Sequence, residues 1–152
     1  DDVDHALQRP VVVGAGLGIR MDVHGPRPQL LRADPGKVDG GLPVHARRLG
    51  GVAIKLMDTS SIADYRMVRY MKDVAGKHNI KWQPEVLTGG GTDTAGMQRM
   101  SKQGVIAGAV SIPTRHIHQV IEMAHKEDIR ASIDLLKNCL QDLDKFDWSF
   151  KD

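Results

Sequence analysis

The stretch SIPTRHIHQVIEMAH, residues 111–125, places His116, His118 and His125, three of the chain's seven histidines, together with Glu122 after an apolar run. Imidazole nitrogens and carboxylate oxygens are the usual protein ligands of divalent metals, so metal binding is the chemistry these residue types suggest. Spacing narrows the set. On extended backbone His116 and His118 share a face and are able to share one ion, whereas His125 faces the opposite side if the strand continues. No second cluster of His, Cys or acids has the tight spacing of a zinc motif, so a polar pair at the surface end of a strand is the competing reading. His125 stands before Lys126, Glu127 and Asp128, acids that favour the positive end of a helix dipole, and is expected just ahead of the final helix. Glu122 is open to either role, orienting a ligand or solvated.

A second candidate is GGGTDTAG, residues 89–96. Three glycines after a strand let the backbone turn sharply and approach a ligand, and they present Thr92 and Asp93 at the strand's C-terminal end, where open α/β sheets bind ligands. The competing reading is a tight turn in which Thr92 or Asp93 merely caps a helix starting near Thr94. VVVGAGLG, residues 11–18, has glycines after a β-branched run and Asp34 twenty residues beyond Gly14. It fails as a dinucleotide fingerprint: Ile19 occupies the third glycine position, and Gly25-Pro26 leaves no room for the helix that holds the pyrophosphate.

These residues need elements to position them. VAIKLMD, residues 52–58, sets Val52, Ile54 and Leu56 on one side and reads as a strand. The segment 61–78 reads as a helix of about four turns, with Ser61 as N-cap, Asp64 completing a capping box, and Met67, Val68, Met71, Val74 and Ala75 forming the apolar face. WQPEVLT, residues 82–88, is a second strand, with Pro84 arguing for a sheet edge or a strand start. Residues 94–103 read as a short helix, 105–112 as a buried strand, and Lys126 onward as a long helix. In that helix Ile129, Ile133, Leu136, Leu140 and Leu143 step by four and three, the stripe of a helix packed on a sheet. Alternating strands and helices predict an α/β fold, a mixed or parallel sheet flanked by helices.

Composition divides the chain. Residues 1–51 hold nine of the sixteen glycines, five of the seven prolines, and six arginines against one lysine, whereas the remainder carries nine lysines and five arginines. The expected organisation is a Pro/Gly/Arg-rich irregular segment over 1–50, followed by a periodic domain over 51–152. A long insertion and a stretch read in the wrong frame would each give the first segment this composition. The chain has 21 basic and 19 acidic residues with no long run of like charge, so neither nucleic acid nor a membrane surface is an expected partner. The single cysteine, Cys139, and the lack of a long apolar run point to a cytoplasmic protein, with Cys139 as a buried, inert thiol. Phe146, Trp148 and Phe150 alternate in the tail and are expected to dock on the chain's own domain.

VAIKLMDTSSI, GGGTDTAGMQRMSKQGV and SIPTRHIH, in this order and at these intervals, together resemble the C-terminal part of the M42 metallo-aminopeptidases, over roughly residues 50–145. That family includes glutamyl and tetrahedral aminopeptidases and members labelled endoglucanases. The resemblance implies the C-terminal portion of a zinc-peptidase-like catalytic domain. It also implies two divalent ions, zinc or cobalt, a peptide substrate losing its N-terminal residue, and assembly into homo-oligomers. On the family motif His118 would be a metal ligand and His116 its neighbour. Gly91, Thr92 and Asp93 would shape the substrate pocket, and Asp2, or else Asp4, in DDVDHA would match an upstream ligand aspartate. The family's first histidine ligand, its bridging aspartate and its Glu-Glu pair with the general base have no counterpart here. No catalytic residue is therefore assigned, and a fragment inactive on its own is expected. A non-catalytic α/β domain serving assembly or peptide binding is the alternative.

Overall fold

The computed structural model describes residues 11–15, 46, 50–100, 102–115 and 120–150. Four strands form one mixed sheet in the order β1-β4-β2-β3: β1 (Val11–Ala15), β2 (Val52–Met57), β3 (Trp82–Val86) and β4 (Ile106–Ser111). β2 runs parallel to β3, with Val52 opposite Trp82, and antiparallel to β4, with Ala53 opposite Ser111. β1 runs parallel to β4. A two-residue pair, β5 (Thr114–Arg115) and β6 (Met123–Ala124), forms a separate antiparallel hairpin. The helices are α1 (Tyr65–Lys77), α2 (Thr94–Met100) and α3 (Lys126–Asp142), the last continuing into a 3-10 turn, Leu143–Lys145.

The predicted alternation is thus an α/β fold with a mixed sheet. Of the irregular 1–50 segment, the strand Val11–Ala15 is the main part described. Pro84 sits in β3, an edge strand of the described sheet, where its missing N–H costs no ladder bond on the outer side.

The core lies on the face of β2 that carries Val52 and Ile54. Met67, Met71, Val74 and Ala75 of α1, Ile106 and Val110 of β4, and Leu135 and Cys139 of α3 close over it. Each large side chain buried here contributes about 1.5–3 kcal/mol. The helix comes close to the sheet because β4 offers Gly108 under it: a Cβ there would stand 2.6 Å from Met67 Cγ. The opposite sheet face carries small residues, Ala53, Ala107 and Ala109, and a buried ion pair in which Lys55 Nζ lies 2.7 Å from Glu85 Oε2.

Two expectations are corrected. α1 is capped by Asp64, whose carboxylate accepts the Arg66 amide, and not by Ser61. Ser61 is unavailable because its amide and hydroxyl both donate to Asp58. In α3 only Leu136 and Leu143 of the expected stripe pack against the core, and both are partly buried. The buried side chains are Asp128, Ser132, Leu135 and Cys139, whereas Ile129, Ile133 and Leu140 are 37, 59 and 65% exposed. Both sets step by four, three and four, offset by one residue, about 100° of helix rotation. The rotation is settled by specific bonds: Asp128 Oδ1 accepts the Gly51 amide at 2.9 Å, and the Tyr70 hydroxyl donates to the Cys139 carbonyl. Small Ser132 and Cys139 also allow a closer approach than isoleucine and leucine would.

The tail folds back on its own domain. Phe146 and Trp148 pack on Tyr70 with ring centroids 4.9 and 5.0 Å away, and Arg66 donates to the Trp148 carbonyl while stacking 4.0 Å from the Phe150 ring. Burial, with Asp142 nearby, pushes the Cys139 thiol up to about 12, so it stays an unreactive thiol. His125 does precede the last helix: it is the N-cap of α3, its Nδ1 accepting the Glu127 amide.

Candidate functional site

β2 and β3 end side by side, and the loops that leave them, 58–64 and 87–93, are laced into one surface. The centre is Asp58, 3% exposed, which closes β2. Its Oδ1 accepts the amides of Ser60 and Ser61, each at 2.8 Å, and the Ser61 hydroxyl at 3.1 Å. Its Oδ2 accepts the amide and the hydroxyl of Thr92 at 3.0 and 2.7 Å. Burial pushes this carboxyl up. The hydrogen bonds from the Thr92 hydroxyl, from the amides of Ser60 and Ser61 and from the Ser61 hydroxyl outweigh that push and hold it below the usual carboxylate value.

Backbone bonds complete the lacing: the Leu87 amide donates to the Met57 carbonyl, and the Thr59 amide to the Gly90 carbonyl. Gly91 passes so near the first loop that a Cβ on it would stand 2.2 Å from Ser60 Oγ. Gly90 has φ +122°, a conformation open to glycine and rarely to other residues. From α2, Arg99 donates to the Ser60 carbonyl and Gln98 to the Ile62 carbonyl. The result is a fixed glycine loop whose Gly89, Gly90, Gly91 and Asp93 are exposed, while Thr92 turns its hydroxyl inward. Such a surface can offer backbone amides and one carboxylate to a ligand. The start of α2 is served by backbone carbonyls, Thr92 accepting from Ala95 and Asp93 from Met97.

The SIPTRHIH segment leaves from the other end of β2. Ser111 is opposite Ala53, five residues and about 16 Å of extended chain from Asp58. The chain returns through β6 to His125 and to Asp128, which is bonded to Gly51 at that same end. The described residues therefore do not bring Gly91, Thr92 and Asp93 to the root of the hairpin that carries His118. His116, His118, Asp2 and Asp4 themselves lie outside the described residues. At the root, the hydroxyls of Ser111 and Thr114 are buried and have no hydrogen-bond partner among the described residues.

Among the described residues no three His, Cys, Asp or Glu side chains are grouped to hold a metal ion. Asp58 has its oxygens committed to five donors, and Asp128 Oδ1 is held by Gly51. The described residues alone do not fit a divalent cation. Asp58 is also the residue that spacing arguments passed over. Its signal was present in Asp-Thr-Ser-Ser, an acid followed by donors two and three residues on, which is the pattern of a local side-chain-to-backbone turn.

A mixed sheet of this order, with helices α1 and α3 on one face and laced loops at the ends of the parallel pair, is the α/β architecture of an aminopeptidase catalytic domain. An aminopeptidase from the archaeon Desulfurococcus kamchatkensis superposes with a TM-score of 0.66 at 28% identity, covering 85% of this chain and 33% of that one. The Pyrococcus horikoshii TET1 peptidase, which can assemble into a tetrahedron or a large octahedral shell, gives 0.56 at 29% identity, over 64% of this chain and 28% of its own. In sequence, a protein of Acetivibrio thermocellus, an aminopeptidase by name, is 35% identical over 94 residues, 62% of this chain. Residues 38–135 match the family model of the M42 glutamyl aminopeptidases, and the chain belongs to that family. It spans 28% of the length of the Acetivibrio relative. No helix among the described residues is long and apolar enough to cross a membrane.

Proposed function

We propose that this chain is the C-terminal part of a dinuclear-metal aminopeptidase of the cytoplasm, one that releases N-terminal residues from peptides and works as a homo-oligomer. In this reading His118, with Asp2, contributes to a site for zinc or cobalt completed by residues outside the chain, and Gly91, Thr92 and Asp93 line the substrate pocket. The observation that carries it is the family match, whose span 38–135 includes both the glycine loop fixed by Asp58 and the Ser-Ile-Pro-Thr-Arg frame ahead of His118. The Ser111 and Thr114 hydroxyls at the root of that frame, which have no hydrogen-bond partner among the described residues, support it. A buried hydroxyl left unpaired costs about 1–3 kcal/mol, and groups from a completed domain would relieve that cost. The chain has no counterpart of the family's general base and is not expected to cleave peptides alone.

Titrating zinc and cobalt into the chain and into His118→Ala tests the reading. Metal binding by the parent that weakens at least tenfold in the variant, with no aminoacyl-anilide cleavage by either, is the expected result. Equal binding by both would remove His118 from the site.

A further inference from the structure

The turn that follows α1 and the first two turns of α3 face each other across a groove of about 270 Å³. Two consecutive residues tie its walls together: the Gly51 amide donates to Asp128 Oδ1 of α3 at 2.9 Å, and the Val52 amide to the Lys81 carbonyl of the turn at 3.1 Å. The turn is closed by Asn79, with a φ of 52°, and by the Ile80 amide donating to the Ala75 carbonyl at 2.8 Å. Backbone bonds thus set the shape of the groove before anything enters it, as is usual for ligand sites. Ile80 and Ala131, both partly buried against the core, supply its apolar lining. Arg130 and Asp134 line it one helical turn apart, and among the described residues neither joins an ion pair. We propose that this groove binds a short zwitterionic peptide, a dipeptide in size, with its carboxylate on Arg130 and its ammonium on Asp134.

Charge fixes the ligand class. A guanidinium is a planar fork of donors that fits a carboxylate, and a carboxylate offers acceptors alone, so the two together call for a molecule with one acid and one ammonium group. Lys81 and Glu127, also on the lining, add one charge of each sign, so a simple anion such as phosphate would meet two carboxylates, whereas a ligand of zero net charge meets no excess of either sign. Spacing fixes the length. Side chains four residues apart on a helix stand about 5–6 Å apart at Cβ, and two residues of extended peptide span at most about 7 Å. Size agrees, because the groove falls just below the range of about 300–1,000 Å³ that holds larger ligands. A peptide trimmed from its N-terminus ends as short peptides of this class, so the function proposed above would supply the ligand, but the groove makes no use of the metal site.

The test is an NMR titration of the isotope-labelled full chain with the dipeptide alanyl-leucine, in EDTA so that no divalent ion takes part. The amides of residues 78–81 and 127–134 should shift together and saturate. N-acetyl-alanyl-leucine lacks the ammonium and alanyl-leucinamide lacks the carboxylate, and each should bind the parent at least tenfold more weakly than the free dipeptide. Arg130→Gln should lose the preference for a free carboxylate and keep the preference for a free amine, and Asp134→Asn should do the reverse. Both side chains are exposed, so the denaturation midpoints should stay with the parent, and a merely structural role would not separate the two preferences. No saturable shift at these amides, equal binding of free and blocked peptides, or variants that lose both preferences together overturns the inference. So does tighter binding of inorganic phosphate than of the dipeptide. His118→Ala should bind the dipeptide like the parent, so a failed metal experiment and a failed groove experiment are read separately.

Discussion

Replacing Asp58 with asparagine isolates the knot that joins the two loops. Asparagine keeps one acceptor oxygen and substitutes an NH2 for the other. If the amide faces Thr92, two donors, the Thr92 amide and hydroxyl, meet another donor; if it faces Ser60 and Ser61, three do. Hydrogen bonds to a charged acceptor contribute about 1.5–3 kcal/mol each, so the smaller loss amounts to about 3–5 kcal/mol after some relaxation. Urea denaturation should show the midpoint falling with an unchanged slope, and the Thr92 and Ser61 amides should exchange with solvent far faster than in the parent. The pH dependence carries the same signature. The folded carboxyl titrates below its unfolded value, so its stabilisation is fully present above about pH 4 and is lost as pH falls through the folded value. Asp58→Asn removes that acid-sensitive component. A variant within about 0.5 kcal/mol of the parent, with a protected Thr92 amide, would refute the reasoning.

The buried pair of Lys55 and Glu85 predicts an asymmetry: Glu85→Ala alone should cost about 3–5 kcal/mol in chemical denaturation, while Lys55→Met with Glu85→Leu should recover most of it. Gly91→Ala should destabilise by about 1–3 kcal/mol, because the new methyl meets Ser60 Oγ, and Ser60→Gly in the same chain should restore stability, a coupling that a double-mutant cycle measures. Asp142 is held below the usual carboxylate value by hydrogen bonds from Lys145 and then Lys77. Its contribution is therefore present above the unfolded carboxyl value and lost toward acid, and Asp142→Asn should flatten the acid limb of a stability-against-pH curve.

Much of this architecture was legible in the chain. β2, α1, β3 and β4 announce themselves because alternation and helical periodicity each select one face, as Met67, Met71 and Val74 do for α1. The rotation of α3 was not legible. Two stripes one residue apart satisfy the same periodicity, and the choice depends on Asp128 meeting Gly51 and Tyr70 meeting Cys139, partners 77 and 69 residues away. The cap of α1 was misread for a related reason: Ser61 has the right chemistry for a cap, and only its proximity to Asp58 commits it elsewhere. For the candidate site, the glycine loop was visible by composition, whereas the acid that holds it sits 34 residues earlier, at the end of another strand. Local spacing left His116 and His118 as a pair able to share an ion, and only the family motif preferred His118 of the two.

The placement of β4 between β1 and β2 has a consequence for synthesis. When β2, α1 and β3 have left the ribosome, β2 has a parallel neighbour on one side and an open row of amides and carbonyls on the other, beside Val52 and Ile54. That edge stays open until residues 106–111 arrive, and Gly51 waits for Asp128, 77 residues later. An unpaired apolar edge is the kind that joins another nascent chain, so the interval between β3 and β4 is the window in which this domain is most exposed to misassembly.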